Sequence, residues 1–152
     1  MTTTVYDTKR ALFDTLAAYT GTGQPLAGVQ VSYAWPGTSV DLECIYGGGV
    51  RFDQIDAIAE HPGVLVQEIA SLSLYIRVVQ RPTGPVSDAD ARAAEIGAAV
   101  GAILRANPAL AGGGTSLGIA SGQGDYSQTP DETTAILSYQ VRVARNITYG
   151  GA

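Results

Sequence analysis

Residues 64–79, VLVQEIASLSLYIRVV, constrain this chain more than any other segment. Val64, Val66, Ala70, Leu72, Leu74, Ile76 and Val78 recur every second position, with Glu68 the exception, while Gln67, Ser71, Ser73 and Arg77 occupy the alternate positions. That is the period of a half-buried β-strand. Sixteen residues at ~3.3 Å each reach about 50 Å. A compact domain of 152 residues has a diameter of roughly 40 Å. The strand is therefore expected to bend, to carry a bulge, or to run out of the body towards a partner.

The segments around it predict the rest of the fold. Residues 4–19 read as a helix with Leu12, Leu16 and Tyr19 on one face, and Thr4 with Asp7 forms a capping-box analogue. Residues 29–33 and 40–46 read as two strands, joined as a hairpin around Trp35-Pro36-Gly37. Gly47-Gly48-Gly49 is expected to open a long irregular insert over residues 47–63, with helical turns over residues 53–60. Ser87 is expected to cap a helix running to about residue 106, with Ala93, Ile96, Val100, Ile103 and Leu104 as its core stripe. A short strand over residues 115–120, a polar loop over 122–133 and a final strand from Ala135 to Val143 complete the pattern, and residues 146–152 read as a flexible tail. The order implies a single α+β domain spanning residues 1–152. It would have a mostly antiparallel sheet, two helices packed on one face, a long loop insert and an extended β arm. The long and the last strand are expected to pair near the centre.

Composition excludes more than it assigns. The net charge is −5, from 14 acidic residues against eight arginines and Lys9. A free-standing nucleic-acid binder needs a basic face instead. One cysteine, Cys44, and one histidine, His61, are too few for a Cys/His zinc site or an internal disulfide. No apolar run follows a basic start as in a signal peptide, and none is long enough to span a membrane. A soluble chain made in a reducing cytoplasm is expected.

Candidate chemistry is thin. Asp53, Asp56, Glu60 and His61 form the one tight ionisable cluster; on a helix 53, 56 and 60 would share a face and could hold a divalent cation or do acid–base work. A solvated acidic loop accounts for them more simply. Gly122-Gln123-Gly124-Asp125 lacks the longer glycine pattern and following helix of a phosphate loop, and a hairpin connection explains it better. Cys44 sits on an apolar strand face as an inert thiol. Trp35 reads equally as an interface anchor or a packing plug. No enzymatic signature emerges, and no cofactor or metal is implied.

The overall pattern nonetheless resembles the tail terminator proteins of long-tailed, non-contractile bacteriophages. The resemblance is carried by several segments in order: the first helix ending in Tyr19; Val29-Gln30-Val31-Ser32-Tyr33 with Trp35-Pro36-Gly37; the strand reaching Ile45-Tyr46-Gly47; Ser73-Leu74-Tyr75-Ile76-Arg77-Val78-Val79; the Asp/Ala-rich helix with Glu95; Asn107-Pro108; and Tyr139-Gln140-Val141-Arg142-Val143-Ala144-Arg145. It spans essentially the whole chain as a pattern of residue types and order. It implies a non-enzymatic virion protein at the head-proximal end of the tail, assembled in the host cytoplasm. Six copies would form a ring on the last ring of the tail tube, stop tube growth and dock the head connector. The tube protein and the connector or stopper would be partners, and genomic DNA would pass through the lumen without sequence-specific binding or membrane contact. Lumen or inter-subunit roles are expected for Arg51, Asp53, Asp56, Glu60, Asp125, Glu132, Arg142 and Arg145. The rival expectations are a head-completion or stopper protein of the phage neck, and a small host ligand-binding or enzymatic domain.

Overall fold

The computed structural model describes residues 4–56, 64–111 and 116–149, with the side chains at 52–56, 64–67, 109, 111, 116 and 145–149 outside the description. Two helices and a five-stranded, mostly antiparallel sheet make an α+β fold. The elements are α1 (Val5–Ala17), β1 (Gln30–Ser32), β2 (Glu43–Asp56), β3 (Val64–Gln80), α2 (Val86–Ala106), the 3-10 turn Pro108–Ala111, β4 (Ser116–Gln128) and β5 (Thr133–Tyr149). The strands lie in the order β1-β2-β3-β5-β4.

The long alternating strand is the central one of the five and pairs with β5 from Val64↔Tyr149 to Gln80↔Thr133 without a register shift. It carries no bulge of its own. The irregularity falls in its partner β2, between Gly47 and Val50, where Gly48 and Gly49 face the single Ser73 of β3. Alternation sorts β3 into two faces. Ala70, Leu72, Leu74, Ile76 and Val78 are buried on the helix side, together with Val141 and Val143 of β5.

Both helices cover that face. The expected capping box opens α1: Asp7 N donates to Thr4 Oγ1 (3.2 Å), and Thr4 N donates to Asp7 Oδ2 (2.8 Å). Its buried stripe of Leu12, Phe13 and Leu16 comes down over β2 at Gly47. A Cβ at Gly47 would meet the Tyr33 carbonyl, Lys9 Cε at 2.8 Å and Phe13 Cε2 at 2.9 Å, so only glycine admits the helix there. Helix α2 starts after Pro85 with no side-chain cap, so Ser87 lies inside it rather than capping it. Its core stripe of Ala93, Ile96, Val100, Ile103 and Leu104 is buried as expected. Gly97 lets α2 approach β5, because a Cβ there would collide with Tyr139 Oη and with Leu137 Cδ2. The helices' C-terminal ends meet where Asn107 Nδ2 donates to Tyr19 Oη (3.2 Å).

Four further expectations are corrected. Residues 47–56 are strand rather than irregular insert or helical turns; residues 57–63 lie outside the described residues. β1 pairs with β2 in parallel, so residues 33–42 are a connection and not a hairpin turn. The polar stretch from residue 122 continues β4 as far as Gln128. Residues 146–149 belong to β5 and pair with β3, so the tail expected over 146–152 is strand as far as Tyr149.

Candidate functional site

Among the described residues no helix covers the second face of the sheet. This face presents Ser71, Ser73, Tyr75 and Arg77 from β3, all half-buried, between Tyr46 of β2 and Ser138 and Gln140 of β5. Gln140 Nε2 donates to Ser73 Oγ across the strands (3.2 Å). At one end of this face the connection over residues 33–42 folds back. Trp35 sets its edge against the Tyr46 ring (centroids 4.9 Å), Tyr46 stacks on Tyr75 (5.1 Å, planes 23° apart), and the Arg77 guanidinium lies 5.7 Å from the Trp35 ring. Trp35 stays 49% exposed. Burial, then the neighbouring Tyr75, pushes the Tyr46 phenol up, against the pull of Arg77. Beneath lies Cys44, fully buried, its thiol pushed up by burial. That matches an inert thiol.

The sequence-selected residues do not converge on one centre. Arg51 and Arg142 are both exposed and sit opposite Ser71 from either side, on β2 and β5, two strand spacings or about 10 Å apart. Asp125 is exposed on β4 opposite Ile136 and accepts from Gln123 Nε2 (3.1 Å). Glu132 lies in the β4–β5 turn and accepts from Arg81 Nε (2.7 Å), which ties the end of β3 to that turn. Asp53 and Asp56 occupy β2 positions opposite Ile69 and Val66, and Arg145 a β5 position opposite Glu68. Glu60 and His61 lie outside the described residues. The helical spacing that would gather 53, 56 and 60 does not apply to a strand, where positions three apart fall on opposite faces. Among the described residues no group of three His, Cys, Asp or Glu is placed to hold a metal ion. Gly122 to Asp125 lies in a paired strand and forms no anion-cradling turn.

Two features escaped the sequence reading. The Trp35–Tyr46–Tyr75–Arg77 cluster had one signal: Tyr75 and Arg77 interrupt an otherwise small, polar alternate face. Lys9 had none. It is buried, donates from Nζ to the Gly48 carbonyl (2.8 Å), and lies 4.0 Å above the Tyr33 ring. Burial lowers its pKa. It pins α1 to the β2 bulge.

The sheet's two outer edges are the remaining feature. β1 covers β2 only from Cys44 to Tyr46, so from Val50 to Asp56 the outer edge of β2 has no strand partner among the described residues. β4, thirteen residues long, pairs on one side only among the described residues, and residues 118–131 are exposed throughout. Among the described residues no helix is long and apolar enough to cross a membrane. Compared with known proteins, the chain matches no family model and no curated protein.

Proposed function

We propose that this chain is a structural subunit that assembles with copies of itself into a ring, and that the ring caps a bacteriophage tail tube, ends its growth and receives the head connector. The observation that carries the reading is the pair of long strand edges that have no partner among the described residues. A lone domain blunts such edges with short strands, lysine, proline or a covering loop. Here β4 offers thirteen residues with Asp125 as its one charge, and no proline. Edges of this kind suit a subunit whose neighbours complete its sheet. The sequence resemblance to tail terminators supplies the biological setting. The acidic balance of the chain suits a channel that lets phosphate pass without holding it.

The test is genetic. Deleting the gene and measuring tails in the lysate by electron microscopy is expected to give overlong, headless tubes beside DNA-filled heads. Tails of normal length that fail to join heads would assign the chain to the neck as a stopper. Unaltered virions would remove both roles.

A further inference from the structure

We propose that copies of this chain join edge to edge, the outer edge of β4 in one copy adding antiparallel to the outer edge of β2 in the next, with Asp125 set against Arg51. The proposal rests on the self-assembly reading above and names the surfaces that carry it.

Three observations converge. First, both edges are long and lack strand partners among the described residues, and they lie on opposite sides of one sheet. Unprotected edges recruit further strands. Second, β2, β3, β5 and β4 alternate in direction, so β4 runs opposite to β2. Shifting a copy sideways therefore brings two antiparallel edges together, and the alternation continues unbroken across the junction. Each copy uses each edge once. Such a contact is heterologous, and it closes into a ring when the rotation between copies allows. A two-fold contact of β4 with β4 would instead stop at two copies and leave both β2 edges empty.

Third, charge and alternation select the same register. Arg51 pairs with Ser71 and Asp125 with Ile136, which places both on the sheet face without helices. Setting them opposite each other keeps each face continuous across the junction. The same register puts Tyr126, 65% exposed, against Val50 on the helix side. Within one copy neither Arg51 nor Asp125 has an ion-pair partner among the described residues. Opposite charges directly across strands attract, and like charges there repel.

The test uses the full chain, its mass in solution measured by light scattering and by native mass spectrometry. Wild type is expected to form a closed oligomer. Arg51→Glu and Asp125→Arg are each expected to weaken association about tenfold, and the double variant to restore it. Both sites are exposed, so circular dichroism should be unchanged. Independently, a chain carrying Arg51→Cys together with Asp125→Cys should give a ladder of disulfide-linked multimers on oxidation, and neither single variant should. Dimers from Asp125→Cys alone would establish β4 against β4 and overturn the proposal. An assembled wild type that ignores both charge variants and yields no ladder would also overturn it, leaving ring formation standing. A wild type that stays monomeric at every concentration would remove both.

Discussion

The two faces of the sheet are built from the same strands, yet they follow different rules. On the helix side every second β3 residue from Ala70 to Val78 is at most 2% exposed, and the contacts are apolar. On the other side the alternate residues are hydroxyls, an amide, rings and an arginine, half-buried and bonded sideways to one another. One face holds the fold together. The other is finished just enough to remain stable in water, so it can change with little effect on folding.

The largest test of that division is Leu74→Ala. Leu74 is fully buried beneath the helices, and the truncation should cost about 3 kcal/mol of unfolding free energy in a urea titration. A loss below about 1 kcal/mol would mean the helices do not define the core. Next comes Gly97→Ala. The added methyl favours the helix by about 1 kcal/mol but must displace the Tyr139 ring, so a net loss of about 1–2 kcal/mol is expected. On the opposite face Tyr75→Ala removes a stacked, half-buried ring and should cost about 1 kcal/mol. Ser73→Ala, one step along the same face, should stay within about 0.5 kcal/mol. If Ser73→Ala cost as much as Leu74→Ala, the contrast between the faces would be lost.

The smallest effect is one of sign. Cys44 lies on the face without helices, and its thiol is raised above its ordinary 9.0 by burial. Between 9.0 and the folded value the folded chain holds the extra proton, so stability present below that window is lost as pH rises through it. Lys9 lies on the buried side of α1, and its ammonium is lowered from its ordinary 10.5 by burial. Between the folded value and 10.5 the unfolded chain holds the extra proton, so stability rises with pH there. Cys44→Ala should remove the falling contribution and Lys9→Met the rising one, both read from denaturant midpoints between pH 8 and 11. In the native state Cys44 should also resist thiol-directed reagents until the chain unfolds.

The sequence made the covered face legible and the edges illegible. Alternation from Ala70 to Val78 and the α2 stripe report burial against a nearby apolar surface, and burial writes itself into residue type, while the exposed Thr4–Asp7 cap reports a helix start by its own hydrogen bonds. Direction is not written that way. Val31 and Ile45 alternate as well in a parallel pair as in a hairpin, so the parallel β1–β2 pairing left no trace. Glycines misled most. Gly47 to Gly49 read as the end of a strand, but Gly47 is there to admit α1 and the β2 bulge takes up the excess. Gly122 read as a loop, but it lies across from Tyr139, whose ring would stand 3.0 Å from any Cβ there. A glycine required by a neighbour's bulk looks in sequence like a glycine required by a turn. The candidate interface residues were picked out individually. Their grouping was not visible, because the pairing proposed for Arg51 and Asp125 follows only from sheet order and register.

The pairing of β3 with β5 also sets a timetable. Between these two strands the chain must first make α2 and all of β4, and their contacts close a long loop at every register position. Folds dominated by such distant pairings form slowly, in milliseconds to seconds. Residues of β2 and β3 leave the ribosome before those of β5, and until β5 follows, the edge of β3 that it will cover has no strand to pair with. The nascent chain thus passes through a stage in which its most hydrophobic strand seeks a partner and any strand of the right pattern will serve. Arrival of the seventeen residues of β5 ends that stage, moving the sheet's reactive margin from an apolar strand to a glycine-rich, polar one.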